Sequence, residues 1–196
     1  MVAYLNIHTS YDLLNSSLRI SDVVNKAKNE GIETLAITDT NVLYGYPKFY
    51  DACIEAGIHP VFGMTVYLTD GLYQLETVLL AQNNDGLKDL YQLSSAIKMK
   101  EKEDIPIEWL KRYANHLIII FKGVEEHHQL FIEAFHDKKH VYLNQDCIAI
   151  ENRSFVWLNT MRYLNKEDAD TISALQAIKE NSKLDLVAEQ EDYHEH

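Results

Sequence analysis

Two rhythms of apolar and polar residues alternate along the 196-residue chain. Short runs of β-branched and aliphatic residues read as strands, and between them apolar residues recur at helical spacing. The predicted strands are 2–8, 34–38, 59–68, 76–82, 117–121, 140–144 and 155–158. The predicted helices are 21–29, 47–56, 85–99, 106–113, 125–135 and 167–179. Local punctuation agrees. Ser21 suits an N-cap, Gly31 and Gly57 stop helices, Pro60 stands at a strand start and Pro106 opens a helix. The charged run Lys98 to Asp104 reads as a solvated connection.

Seven strand–helix units imply an α/β fold with mostly parallel strands and crossover helices. With seven glycines and three prolines the interior holds no linker, so residues 1–196 read as one domain. An open doubly wound sheet would carry a Gly-rich phosphate loop after an early strand. The turn after the first strand is instead His8-Thr9-Ser10-Tyr11. A barrel gathers its functional groups at the C-terminal ends of its strands. The residues of chemical interest stand at such ends, in Asn6-Ile7-His8-Thr9, Ile37-Thr38-Asp39-Thr40 and Gly63-Met64-Thr65-Val66-Tyr67. A small, distorted (β/α) barrel is the expected architecture.

Composition narrows the function. There are 30 Asp plus Glu against 18 Lys plus Arg, a net charge of −12. That balance argues against a free-standing nucleic-acid binder, which needs clustered cations. Cys53 and Cys147 lie far apart, which excludes a zinc ribbon or a disulfide framework, and Cys53 sits in an apolar pattern as a buried thiol. No apolar run approaches the ~20 residues of a membrane span and no signal-peptide pattern opens the chain, so a cytoplasmic protein is expected. His127, His128 and His136 read as exposed. His194 and His196 close a Glu- and His-rich tail that would bind metal adventitiously.

From Asn6 to Leu68 the chain resembles the PHP (polymerase and histidinol phosphatase) domain found at the N-terminus of bacterial DNA polymerase III alpha subunits. The residues that carry the resemblance are His8-Thr9, Tyr11, Leu13-Leu14, Ala36-Ile37-Thr38-Asp39, Tyr44-Gly45, Phe49-Tyr50, Ala56 to Gly63, and Val66-Tyr67. It continues through Leu79 to Asn83, Gly86, Leu90, Leu93-Ser94, Asn159, Tyr163, Glu167-Asp168-Ala169 and Ala177-Ile178. The resemblance implies a distorted seven-stranded (β/α) barrel.

It also implies a metal site, and here the chain departs from the pattern. Metal-binding members open with His-x-His, and Asn6 replaces the first His before His8. Thr40 stands in place of the His after Asp39, and Thr65 in place of a Glu. Asn15 takes the place of an expected acid, and Glu76 that of a His. Thr160 and Arg162 replace a late Asp-x-His, and Lys122-Gly123 lie where Gly-Cys is usual. Neutral Asn and Thr are poor ligands for divalent ions, and Arg162 would repel them. A vestigial cleft is therefore expected, with no catalytic residue and no bound metal. Its contents would be Asn6, His8, Asn15, Asp39, Thr40, Thr65, Glu76, Thr160 and Arg162, with an Asn6–His8–Asp39–Arg162 network at its heart.

The resemblance implies a much longer parent, a bacterial DNA-directed DNA polymerase whose Mg-dependent chemistry lies in a palm outside these residues. This domain would be inactive alone and would support the polymerase core. Its direct partners would be palm and thumb. DNA, deoxynucleotides, the sliding clamp and other replisome subunits would be met through the parent. No membrane is involved in this expectation. The competing expectation is a metal-dependent phosphoesterase, acting as a 3′–5′ exonuclease or a pyrophosphatase.

Overall fold

In a computed structural model the described residues are 3–99, 104–123, 128–145, 154–165 and 168–180. Cys147, His127 and the Glu- and His-rich tail lie outside them. The chain forms two compact units, Met1–Val61 with Asn159–His196, and Phe62–Leu158.

The first unit holds strand β1 (Ala3–Ile7), helix α1 (Ile20–Asn29), strand β2 (Thr34–Ile37) and helix α2 (Tyr46–Ala56). β1 and β2 pair in parallel, with Ala3 opposite Thr34 and Ile7 opposite Ile37. Leu35, Ala36 and Ile37 are all buried, so β2 is apolar on both faces, as a parallel strand under helices requires. α1 turns Ile20, Val23, Val24 and Ala27 inward at helical spacing and packs on α2, which buries Phe49 and Cys53. Burial pushes the Cys53 thiol up to about 11, as suits an inert packing residue. Gly57 adopts φ 76° and closes α2 in the left-handed conformation. Ser21 does not cap α1: Arg19 holds that position and the Ser21 hydroxyl turns to Asp22 (3.0 Å). Helix α6 (Ala169–Glu180) also belongs to this unit.

The second unit is built on strand β3 (His59–Thr69), whose residues from Phe62 onward lie here. It adds β4 (Gln74–Ala81), α3 (Asn84–Met99), β5 (Asp104–Pro106), α4 (Ile107–Tyr113), β6 (Leu117–Phe121), α5 (His128–Ala134), β7 (Val141–Asn144) and β8 (Ser154–Val156). The sheet path runs β3-β4-β6-β7-β8. β4 runs antiparallel to both β3 and β6, the exceptions among strands expected to be mostly parallel. The turn between β3 and β4 is too short for a crossover. Asp70 Oδ1 accepts from the amides of Leu72 and Tyr73 (both 2.9 Å), and Gly71 takes φ 102°. β5 is a further strand, at the end of the segment read as a solvated connection, and it pairs in parallel with Tyr67–Thr69. Leu68, Leu79, Leu90, Leu93, Ile119, Phe121, Phe135 and Leu143 are fully buried, with the Phe121 and Phe135 rings 6.0 Å apart.

A buried polar cluster at the ends of β1 and β2

The loops that follow β1 and β2 carry polar side chains sunk as deep as the apolar core. Asn6, His8, Thr9, Asp12, Thr38 and Asp39 are each at most 3% exposed. Burying them without partners would cost several kcal/mol per group, so the arrangement of their hydrogen bonds decides what the cluster can do.

Three local sets satisfy them. Asn6, the penultimate residue of strand β1, donates from Nδ2 to Thr160 Oγ1 (2.9 Å) and accepts from the Thr38 hydroxyl (2.8 Å). His8 Nδ1 lies 2.7 Å from Asp12 Oδ2. The same Asp12 carboxylate accepts from the Thr40 amide (2.9 Å), the Thr40 hydroxyl (2.8 Å) and Asn15 Nδ2 (2.6 Å). Asp39 accepts from the amide and the hydroxyl (2.8 Å) of Thr9. Backbone bonds lock the frame: His8 N–H donates to Met161 O (2.9 Å), and the Ser16 hydroxyl bridges His8 O (2.6 Å) and Arg162 O (2.8 Å).

The two carboxylates are tuned in opposite directions. Burial acts to raise the Asp12 pKa, but the hydrogen bond and charge of His8, with Asn15 and Thr40, outweigh it and hold the carboxyl below its usual range. Burial dominates at Asp39, where the Thr9 bonds only partly offset it and the neighbouring Asp12 charge adds to it, so its pKa rises to about 7. Asp12 is thus the anion of the cluster.

Asp12 is the residue that sequence reasoning missed. The acid was sought at Asn15, yet Asn15 serves as a donor to the real acid three positions earlier. The available signal was its place as the sole acid in the loop after β1. The expected pairing of Asp39 with the Arg162 guanidinium is also corrected, because the hydrogen bonds of Asp39 come from Thr9. Arg162 contributes its carbonyl to the frame. Thr65 and Glu76 belong to the second unit. There Thr65 is buried on β3, opposite Val78, and Glu76 pairs with Lys122 Nζ (2.6 Å).

The PHP family model matches residues 5–160. The chain belongs to the PHP domain family. All 196 residues align with DNA polymerase III subunit alpha of Staphylococcus epidermidis at 64% identity, and with that of Staphylococcus aureus at 57%. The chain spans 18% of the length of each of these relatives. A crystal structure from Bifidobacterium adolescentis, described as a metal-dependent phosphoesterase, matches 98% of this chain and 87% of its own, with TM-score 0.50 and 12% identity. That likeness shows the fold, which is the α/β PHP fold expected from the sequence.

PHP chemistry elsewhere rests on divalent metal, so the donor set bears testing against an ion. Among the described residues no three His, Cys, Asp or Glu side chains are placed to hold one. His8 Nδ1 is spent on Asp12, and both carboxylates are engaged by donors from the loops after β1 and β2. Asn6, Thr40 and Thr160 supply no charge. Within the first unit this set does not fit a cluster of two or three divalent ions. No helix among the described residues is long and apolar enough to cross a membrane.

Proposed function

We propose that the chain is the N-terminal PHP portion of a bacterial replicative polymerase, the DNA polymerase III alpha subunit, and that it acts there as a scaffold. The 64% identity over the full chain supports the assignment to that polymerase. The observation that carries the scaffold reading is the engagement of Asp12 and Asp39, whose oxygens hold their own loops together where a hydrolase would need them free. The family match across residues 5–160 draws on both units, which supports treating the whole chain as one functional domain.

In this reading the parent adds deoxynucleotides to primed DNA with Mg bound in its palm, and the domain is inactive alone. It packs against palm and thumb in the cytoplasm and meets DNA, the sliding clamp and other replisome subunits through the parent. A net charge of −12 suits a domain that rests on protein rather than on DNA. A metal-dependent phosphoesterase, acting as an exonuclease or pyrophosphatase, has only the shared fold in its favour.

The test is metal content by mass spectrometry after dialysis against manganese and zinc, with residues 193–196 removed. Less than one ion per chain is expected. Two or more ions, lost in His8→Ala, would overturn the scaffold reading in favour of the hydrolase.

A further inference from the structure

The loops that bury the polar cluster also present a surface. Between Thr9 and Leu18 the sole charged residue is Asp12, and between Thr38 and Tyr46 it is Asp39. Both are buried, so neither loop shows a charge of its own to solvent, in a chain that is 24% charged overall. Beside the neutral Ser10, what the loops expose is apolar and aromatic: Leu13 at 78%, Tyr44 at 65% and Tyr11 at 38%. The two loops meet at Gly45: a Cβ built on that residue, which follows Tyr44, would stand 3.2 Å from the Tyr11 ring, and Leu13 follows Tyr11 by two residues in the same loop. Loss of charge combined with enrichment in Tyr and large apolar side chains is the composition of the centre of a protein–protein contact.

The surface is also held rigid from within. Leu14 takes φ 64°, a left-handed conformation that a leucine rarely adopts. Asp12 holds both sides of it, with its carbonyl accepting from the Asn15 amide (3.0 Å) and its carboxylate from the Asn15 side chain (2.6 Å). The second loop is tied to the same carboxylate through Thr40. A pre-ordered loop loses little entropy when a partner covers it.

We infer that the Tyr11–Leu13–Tyr44 surface is where the remainder of the polymerase chain docks on this domain, with the buried Asp12 cluster acting as the brace that presents it. The inference rests on the scaffold reading above and names the face that reading leaves open. The occupant is argued from length: relatives that match all 196 residues devote only 18% of their own length to this region. A nucleic-acid occupant would call for clustered cations; the loops carry none of their own, and Lys179 of α6, which donates to Asn15 Oδ1 (3.0 Å), does not make a cluster.

The experiment uses the full-length polymerase chain, with the photo-crosslinker p-benzoylphenylalanine placed at position 13 or, in a second variant, at position 44. Ile54, 55% exposed on α2, is the control position. Primer extension by each variant checks folding. Crosslinks from 13 or 44, but not from 54, to peptides beyond residue 196 of the same chain are expected. Crosslinks confined to residues 1–196, to a second copy, to DNA or to another protein, or no crosslink at all, would overturn the assignment of this face. Deleting residues 1–196 tests the scaffold separately. A truncated chain that loses activity while 13 and 44 stay silent refutes the face alone, whereas an unimpaired truncated polymerase refutes the scaffold.

Discussion

Replacing Asp12 by Ala removes four hydrogen bonds from a site that is 3% exposed. Asn15 and the Thr40 hydroxyl are only partly buried and can turn to water. The Thr40 amide is likewise part-buried, whereas the His8 ring is wholly buried, so its bond to Asp12 is the costliest of the four to lose. Orphaning a buried donor costs about 1–3 kcal/mol, and breaking a buried charged pair by removing one partner costs about 3–5 kcal/mol. A loss of about 4 kcal/mol follows for the first unit, roughly 8–16 °C in Tm for a chain of this size. Because the chain has two units, the assay should report on the first directly, through hydrogen exchange of the β1 and β2 amides in urea. The double variant with His8→Ala should cost less than the sum of the single variants by about 2 kcal/mol, since both remove the same pair. A loss for Asp12→Ala below about 1 kcal/mol, the size of an exposed ion pair, would refute the idea that this cluster braces the loops.

The opposite tuning of the two carboxylates sets signs for pH dependence. Asp12, held below its usual range, contributes stability present above about pH 4 and lost as acid protonates it. Asp39, raised from 3.8 to about 7, works the other way: its buried charge erodes stability as pH climbs through that interval. Asp39→Asn should therefore flatten the fall in urea midpoint between pH 4 and 7, and parallel curves for variant and wild type would count against it. Gly45→Ala would place a methyl 2.8 Å from Ile37 Cδ1 and 3.4 Å from Asp39 Oδ2, so a loss of about 1–3 kcal/mol is expected in chemical denaturation. Gly86→Ala should cost at least as much, because its Cβ would meet the rigid carbonyl of His116; an unchanged midpoint would show that α3 shifts freely on that backbone.

The cluster is chemically suited to bracing loops. Asn6, Thr40 and Thr160 bring donors without charge, and donors are what a buried carboxylate needs. Thr40 and Asn15 supply them to Asp12, and Thr9 to Asp39. A buried cluster of this kind holds loops through its acceptors, provided every acceptor finds an N–H or O–H within reach.

By itself the sequence determined the elements and the class of fold. Leu117–Phe121 reads as a strand over its observed bounds and α2 ends at Gly57, because periodicity and backbone freedom are local properties carried within a few residues. The ordered motifs from His8 to Ile178 pointed to the PHP family, to which the family match over residues 5–160 assigns the chain. The tertiary structure alone decided the partners. That Asp12 rather than Asn15 is the anion facing His8, and that Asp39 turns to Thr9 rather than to Arg162, depends on how the loop after β1 folds back on the end of β2. The direction of β4 and the pairing of β5 with β3 are likewise set by contacts distant in sequence. A carboxylate takes whichever donors the folded chain brings within 3 Å. Residue type states only what it could accept, whereas loop geometry selects what it does.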